Sequence, residues 1–484
     1  MKKIFTLSMA LFGIAALISA CSDSSTSSGN TEAATGSSSS AVPDDPAMEE
    51  LEANYELLNL MYIYGPERKD IAESVDVYVG KGTAKDAGNK FGEETCTADY
   101  YDVCHMYNQL TDPYTRYYDP VLTEDLLPSL EESDEDISIV GVETMSYDED
   151  GYYFEVTYVS DEAKKGGIQV GDILLGYGVY YAYSDSTDGK PVKLKATRDG
   201  KDVEVSVVLT MEKQSTVLYH YEPVGTEDSI PVIRIKEFDS KTVGEGGTFE
   251  EFAKALKKTE GSKATIIDLR DNGGGDTEHC NAASAEFLSK GDTVTIEIEA
   301  DMDAVVKDGE TKLVQVIDTA AIVAEKDGSA KDRYVVMLAD GGSASCAELM
   351  LSAIAVNKKA PIVGELTFGK QIAQSIITES ALEGLDSVPD AFKAPKGIAF
   401  ITSTIGYDKD WKSFQDVGII PDYEIKGSRV EQMKKAVELA AEGKAKRTAG
   451  YGTEPLGHFE KSASAGSRKA QLKDLKRMRY KILR

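Results

Sequence analysis

Residues 230–427 constrain the fold most, because short apolar runs alternate there with stretches of helical spacing. The apolar run of "KATIIDLR" (263–270) precedes the helical pattern of "HCNAASAEFLSK" (279–290), and "RYVVMLA" (333–339) precedes "CAELMLSAIAV" (346–356). Strands that alternate with helices are typical of sheets with helical crossover connections. The sequence therefore predicts an α/β core over this part of the chain.

Three of the predicted strands run into turns rich in glycine and small polar residues: "LRDNGGGD" (269–276), "DGGSASCAE" (340–348) and "GELTFGKQ" (364–371). In an α/β core, the turns that follow neighbouring strands converge at one edge of the sheet. Ser345 would stand there at the start of a helix, beside unpaired backbone N–H groups. Such a serine is a candidate nucleophile, although glycine and serine are also common in plain turns.

Lys370 is the candidate base for this serine. Of the four histidines in the chain, only His279 adjoins the predicted turns. A lysine can act as the base instead when burial disfavours its charged form and lowers its pKa. Glycines in the first turn would let backbone N–H groups approach a substrate carbonyl, so the N–H groups of Gly274 and Cys346 are predicted as oxyanion donors.

The first 20 residues have the pattern of a secretory signal, with "MKK" followed by an apolar stretch that is short for a membrane span. The stretch ends in "LISAC", which resembles the lipobox of bacterial lipoproteins. The resemblance implies lipidation of Cys21 and a lipoprotein that is exported to the cell envelope and anchored by its lipid in the membrane. Ser22 favours the outer membrane, facing the periplasm. The Ser-rich segment 21–47 is predicted to be a flexible tether.

Charge and cysteine usage exclude several classes of protein. A formal net charge of -30 opposes binding to nucleic acid. Four histidines and the absence of a Cys-x-x-Cys motif predict no metal site, and no cofactor is predicted. Besides Cys21 the chain has Cys96, Cys104, Cys280 and Cys346, an even number that permits disulfides in an exported protein. Cys96 and Cys104 are close enough in sequence to pair, and the sequence leaves their state open.

The fold class predicted for the whole chain is α/β with α+β character, in several domains. We predict a small helical region over 48–135, a β-rich module over 136–213, the α/β core over 214–428 and a basic helical tail over 429–484. The module is expected to consist of short strands, "GDILLGYGVYY" (171–181) among them.

The β-rich module resembles a PDZ domain through "GIQVGDILL" (167–175). PDZ domains bind extended C-terminal peptides by strand addition and hold the terminal carboxylate with backbone N–H groups. The resemblance implies that the loop of Ile139, Val140, Gly141 and Val142 binds this carboxylate. A β-rich module without peptide binding is the alternative.

Several motifs in order resemble the signatures of C-terminal processing peptidases, also called tail-specific proteases. The family's "S/T-A-S-x-x-E" box is present as "SASCAE" (343–348). Lys370 follows Ser345 by 25 residues, and Gln374 follows Lys370 by four. "DLRDNGGG" (268–275) corresponds to "D-L-R-x-N-P-G-G", with glycine in place of proline.

The resemblance implies a PDZ-containing Ser/Lys serine peptidase whose core is of the ClpP/crotonase-like type. Ser345 would attack the peptide bond and Lys370 would take the proton. Because an even spacing in an extended chain keeps two side chains on one face, Gln374 is expected to orient the amine.

Two residues depart from the family pattern. Val356 stands where many members have an acid, eleven positions after Ser345, so a supporting carboxylate is missing or relocated. Cys346 stands where the family usually has alanine. It can compete as a nucleophile, bridge to Cys280 or fill a small buried space, and we interpret it as a buried filler.

The sequence thus predicts an envelope endopeptidase that recognises exposed C-terminal tails of proteins or peptides. The alternative from another class is a catalytically silent adaptor that binds such tails, which the missing acid at Val356 favours. An acyl transferase of the β-lactamase type requires a Ser-x-x-Lys motif, and the chain has none.

Overall fold

The structure is a computed structural model that describes residues 45–65, 69–123, 135–146, 153–213, 215–226, 228–243, 246–307, 310–383, 392–452 and 478–482. The predicted signal peptide, Cys21 and nearly all of the predicted tether lie outside the described residues.

Helix boundaries follow local capping. Asp45 caps the first helix through a hydrogen bond from the Ala47 N–H, and Ser428 caps the last through the Glu431 N–H. The helices are α1 (Pro46–Met61), α2 (Tyr101–Gln109), α3 (Asp161–Lys164), α4 (Gly176–Ala182), α5 (Gly247–Lys258), α6 (Thr277–Ala285), α7 (Cys346–Lys358), α8 (Glu379–Glu383) and α9 (Arg429–Glu442).

The strands form three sheets. In chain order they are β1 (Arg116–Tyr118), β2 (Glu135–Ile139), β3 (Val142–Ser146), β4 (Tyr153–Val159), β5 (Ile173–Leu175), β6 (Pro191–Arg198), β7 (Lys201–Lys213), β8 (Val217–Val224), β9 (Asp228–Ile235), β10 (Ala264–Asp268), β11 (Thr293–Lys307), β12 (Glu310–Val323), β13 (Tyr334–Ala339), β14 (Ile362–Gly364), β15 (Ile372–Ile377), β16 (Ile398–Tyr407), β17 (Tyr423–Glu424) and β18 (Met478–Ile482).

The first sheet is the predicted α/β core, with strand order β17-β14-β13-β10-β9-β8. All neighbours pair in parallel except β8, which is antiparallel to β9. Alternate residues of β13 point to opposite faces: Val335 and Met337 pack with α5, α6 and α7, while Val336 and Leu338 pack with α9. The prediction of an α/β core is confirmed.

The second sheet lies in the β-rich module and is antiparallel, with order β2-β7-β6-β5-β4-β3 around buried Val156, Leu174 and Leu209. The prediction that "GDILLGYGVYY" is one strand is wrong, since β5 ends at Leu175 and α4 follows directly. Tyr177 and Tyr181 are four residues apart, and in the helix their rings stack at 6.4 Å.

The third sheet has the order β1-β16-β11-β12-β18, and β15 also pairs with β16. Its long hairpin of β11 and β12 has no counterpart in the sequence predictions. Helices α1 and α2 pack on this sheet through a buried cluster that includes Leu57, Met106, Tyr117 and Ile401. The helical N-terminal region is thereby fixed to the strands that follow Lys370.

Within the described part of the predicted helical tail, residues 429–452 and 478–482, helix is found only in α9. Helix α9 ends at Glu442, and Met478–Ile482 instead forms a strand parallel to the outer edge of β12. The edge of a long hairpin offers unpaired N–H and C=O groups, which satisfy the backbone of an added strand.

Candidate active site

Ser345 stands between β13 and α7, where the sequence places it. Its φ is +54°, in the left-handed region where residues other than glycine are strained. Its N–H donates to the Glu348 carboxylate at 3.0 Å, and its carbonyl accepts the Leu349 N–H at 2.9 Å. The first turn of α7 therefore fixes a strained, half-buried serine at the helix N-terminus.

Glu348 joins the turn of Ser345 to the turn of Lys370. Its fully buried carboxylate accepts the N–H groups of Ser345 and Lys370 on the same oxygen, Oε2, at 3.0 and 2.8 Å. The other oxygen accepts the Gly369 N–H at 2.7 Å and the Thr367 hydroxyl. Burial raises the pKa of Glu348 to about 7, although its hydrogen bonds favour the charged form.

The Lys370 amine lies in surroundings that favour its neutral form. Its Nζ is 4.7 Å from the ring centroid of Tyr114. The pKa of Lys370 is lowered to about 8, first by burial and then by the positive charge of Arg116, while Asp112 and Glu348 oppose the shift. Roughly one such amine in ten is neutral at pH 7. This side chain can accept a proton near neutral pH.

The turns of Ser345 and Lys370 converge because their strands are parallel neighbours. Ala339, at the end of β13, lies opposite Gly364, at the end of β14. The Phe368 N–H also donates to the Ser343 carbonyl at 3.1 Å. Among the described residues, the hydrogen bonds do not include one between Ser345 Oγ and Lys370 Nζ. Catalytic hydrogen bonds are often long before substrate binds.

Gln374 does not contact the Lys370 amine through the hydrogen bonds described for this part of the chain. Its Nε2 donates to Thr402 Oγ1 at 3.0 Å. The pairing of β15 with β16 shifts register between Ala373 and Gln374, and such a bulge breaks the alternation of faces along a strand. In this structure Gln374 therefore contacts Thr402, and its role in orienting the Lys370 amine stays a prediction.

Asp112 is a second buried carboxylate near the amine, and sequence analysis gave it no role. It accepts the N–H groups of Tyr114 and Thr115, each at 3.1 Å, and the hydroxyls of Thr115 and Thr402. Thr402 is the residue that Gln374 contacts. The segment from Asp112 to Arg116 is thus anchored to β16 and forms a wall of the lysine pocket. Two sequence features could have indicated these carboxylates. Glu348 ends the box "SASCAE", and Asp112 lies in the Pro-punctuated stretch "TDPYTRYYDP".

Gly274 lies directly against Ser345. Its φ is +108°, and a Cβ there would lie 2.6 Å from Ser345 Cβ and 3.0 Å from the Cys346 nitrogen. However, the Gly274 N–H donates to Asn272 Oδ1 at 2.8 Å, so it points into its own turn. This hydrogen bond does not support the prediction that the Gly274 N–H is a free donor to the oxyanion. No described hydrogen bond uses the Cys346 N–H, the first of helix α7.

A disulfide joins Cys280 in α6 to Cys346 in α7. The interpretation of Cys346 as a buried filler is therefore wrong: both cysteines are buried, and the two helices pack closely enough to bond them. The bond braces the glycine turn that precedes α6 against the residue after Ser345. A second disulfide joins Cys96 and Cys104, as their spacing allows.

The loop predicted to bind a carboxylate connects β2 to β3. Val140 is 50% exposed, and Gly141 has a φ of +72°. The Val140 N–H donates to the Val208 carbonyl at 3.0 Å, so this donor is engaged within the module. Ile139 and Val142 are paired residues of the flanking strands.

A buried ionic contact joins the β-rich module to the α/β core. His220 of β8 lies 3.2 Å from both Glu143 of β3 and Glu222, and its ring stacks on Tyr158 at 4.2 Å. Burial lowers the pKa of His220, but hydrogen bonds to the two carboxylates outweigh burial and raise it to about 9. Arg234 Nη1 also donates a hydrogen bond of 2.7 Å to the Thr144 carbonyl.

Within the described ranges, no group of three or more histidine, cysteine, aspartate or glutamate side chains has the arrangement of a metal site. No helix of the described part is long and apolar enough to cross a membrane.

Residues 229–425 match the family described as peptidase family S41. This segment is similar to the domains of peptidase family S41. It contains β9 to β17 and hence Ser345, Glu348 and Lys370. The predicted resemblance to C-terminal processing peptidases is confirmed at the level of this family.

The chain is also similar to curated proteins of bacteria. The chain is 30% identical over 285 residues to a protein of Staphylococcus haemolyticus named "Probable CtpA-like serine protease", covering 56% of this chain and 51% of the relative. It is 26% identical over 333 residues to the carboxy-terminal processing protease CtpA of Bacillus subtilis, covering 61% and 64%. The chain thus spans half to nearly two thirds of these relatives' lengths. Among solved structures, the photosystem II D1 C-terminal processing protease aligns with 82% of this chain and 97% of its own, at 17% identity and a TM-score of 0.43.

Proposed function

We propose that the protein is a serine endopeptidase in which Ser345 is the nucleophile and Lys370 is the general base. The observation that carries the proposal is the Glu348 carboxylate, which accepts the backbone N–H groups of both residues on one oxygen. The lowered pKa of Lys370 and the strained backbone of Ser345 support it.

The reaction follows from these positions. The neutral Lys370 amine accepts the Ser345 hydroxyl proton as Oγ attacks the substrate carbonyl carbon, which forms a tetrahedral oxyanion. The Cys346 N–H, at the start of α7, is placed to donate to this oxyanion, and one such donor typically contributes about 10²–10³ in rate. The Lys370 ammonium then protonates the leaving amine, and the C–N bond breaks. Water, deprotonated by the same amine, hydrolyses the acyl-enzyme.

The absence of an acid at position 356 does not leave Lys370 without carboxylates. Asp112 and Glu348 both favour its ammonium form, which must be stable enough to hold the proton between the two transfers. The geometry therefore favours an active enzyme over the alternative of a silent adaptor.

Recognition of C-terminal tails is the second part of the proposal. The name of the Bacillus subtilis relative supports it, as does the β-rich module with its exposed loop around Val140 and Gly141. In this proposal a peptide carboxylate is held at residues 139–142, and the His220–Glu143 contact fixes the module against the core.

We further propose that the chain is an exported lipoprotein, anchored through Cys21 and facing the periplasm. The two disulfides support this placement, because such bonds persist in oxidising compartments.

Peptide cleavage can be tested with the full chain in detergent, incubated with an unfolded protein that has an apolar C-terminus and analysed by mass spectrometry. S345A and K370A should abolish cleavage. The surface variants S380A and K409A should leave it unchanged. Cleavage that persists in S345A would contradict the proposal, and binding of the tail without cleavage by wild type would favour the adaptor.

A further inference from the structure

Tyr114 contributes an aromatic face to the lysine pocket from a part of the chain outside the segment that matches family S41. Its side chain is buried, with only 4% of the residue exposed, and its ring centroid lies 4.7 Å from Lys370 Nζ. The ring of Phe91 packs at 5.8 Å from that of Tyr114. The amine thus lies over a ring that is itself backed by another.

Asp112 holds the backbone that carries the Tyr114 ring. This carboxylate accepts the Tyr114 N–H at 3.1 Å and binds Thr115 through both its N–H and its hydroxyl. The Thr402 N–H donates to Thr115 Oγ1 at 2.9 Å, which ties the segment to β16. The ring therefore has little freedom to move away from Lys370.

Charged groups approach the amine from two elements. Asp112 and Arg116 come from the N-terminal segment, and Glu348 comes from α7. The carboxylates of Asp112 and Glu348 have several hydrogen-bond partners of their own, and the Arg116 guanidinium lies 4.4 Å from the Phe400 ring. The Tyr114 ring, 4.7 Å from Lys370 Nζ, presents an aromatic face to the amine beside these charged groups.

An aromatic face suits a general base in a specific way. It attracts an ammonium through the ring quadrupole but does not accept a directed N–H hydrogen bond as strong as one to a carboxylate. The proton therefore stays transferable, and the amine keeps its lone pair free for the serine proton.

We propose that Tyr114 is a positioning residue for Lys370, holding the amine over its ring in the orientation needed to exchange a proton with Ser345. This inference rests on the proposed peptidase reaction. It extends the reacting unit to a residue that lies far upstream of the segment that matches family S41.

The test compares Y114F with Y114L in the full chain, using the pH dependence of kcat/KM for peptide cleavage. Phenylalanine keeps the ring face, so Y114F should remain within about threefold of wild type with an unchanged acid limb. Leucine keeps an apolar wall but no longer attracts the ammonium. Y114L should therefore shift the acid limb to lower pH by about half a unit or more and reduce the plateau about tenfold. A reduced plateau with an unmoved acid limb would assign Tyr114 a packing role and overturn the proposal.

A second readout does not depend on activity. In the S345A background, the titration of Lys370 can be followed by NMR with ¹³Cε-labelled lysine, its signal identified as the one lost in K370R. The titration should move to lower pH in S345A/Y114L and stay in place in S345A/Y114F. If it moves although wild type cleaves nothing, the Tyr114 contact is supported and only the peptidase proposal fails. If it stays in place, the inference is overturned. Should Y114L not fold, Y114M takes its place.

Discussion

The backbone N–H of Lys370 and that of Ser345 contact the same oxygen of the Glu348 carboxylate, at 2.8 and 3.0 Å. The proposed base and nucleophile belong to turns after different strands, and this shared acceptor links the two turns directly.

Replacing Glu348 with glutamine should loosen the link between the turn of Ser345 and the turn of Lys370. The amide nitrogen of Gln cannot accept a hydrogen bond, so buried N–H donors lose their partner, at a cost of about 1–3 kcal/mol. We expect E348Q to lower the free energy of unfolding by that amount in urea titrations and to reduce cleavage at least about a hundredfold. The control is E431Q, a surface change on α9. Wild-type activity in E348Q would show that the two turns hold their positions without this carboxylate.

The pH profile of cleavage should report Lys370. Because the proposed base is active when neutral and its pKa is about 8, kcat/KM should rise with the slope of one proton and reach half its plateau near pH 8. Stopped assays from pH 6 to 10 would measure this. A midpoint near 7 would instead point to Glu348, whose pKa is about 7.

His220 should make stability depend on pH. Its folded pKa, about 9, is above its ordinary value, so its contribution is fully present below pH 6.5 and is lost as pH rises through 9. We expect H220N to be less stable than wild type by roughly 2–3 kcal/mol at pH 6 and by little at pH 10. Unfolding in urea at both pH values would measure the difference. A difference that does not vary with pH would mean that His220 contributes packing alone.

The two disulfides should differ in their effect on activity. The chain-entropy argument gives about 4 kcal/mol for the bond between Cys280 and Cys346 and about 2.5 kcal/mol for the shorter loop between Cys96 and Cys104. Only the first bond adjoins Ser345. C280S/C346S should therefore lose at least about tenfold in cleavage rate through a misplaced oxyanion donor. C96S/C104S, the matched control, should lose thermal stability and keep its rate below its own unfolding temperature.

Gly274 should tolerate no side chain. A Cβ at this position would lie 2.6 Å from Ser345 Cβ, in a backbone conformation that already disfavours alanine. We expect G274A to reduce cleavage about a hundredfold or more. Gly291, with a φ of +89° and open space around it, is the control, so G291A should cost about 1 kcal/mol of stability and no activity. Equal rates in the two variants would contradict the contact with Ser345.

The parts of the fold that sequence predicted best are the strands and helices of the α/β core. The runs before Ser345 and Lys370 are continuously apolar because both faces of their sheet are covered by helices, and glycines mark their ends. The hairpin of β11 and β12 went unpredicted because the predictions followed continuous apolar runs, although acidic residues alternate with apolar ones along β11, which is the pattern of a half-buried strand. Helix α4 was predicted as a strand because its tyrosines and valine are residues that are enriched in strands.

The candidate site was predicted in its residue types but not in its contacts. Ser345 and Lys370 follow from turn chemistry and from the family pattern. The bulge that turns Gln374 toward Thr402 is a matter of strand register, which no spacing in the sequence reveals. The bond of Gly274 to Asn272 depends likewise on how the loop closes on itself. Tyr114 and Asp112 reach the site only because β1 pairs with β16 at the far side of the lysine turn.

The pairing of β1 with β16 determines the smallest fragment of the chain that can keep the proposed peptidase activity. The segment that matches the family begins at residue 229, yet Asp112, Tyr114 and Arg116 face the lysine from well before it. A fragment cut at the boundaries of the matched segment would retain the nucleophile and the base but would expose the amine to water. We therefore expect a chain that lacks residues 112–116 to lose peptide cleavage, although every residue of the matched segment is present.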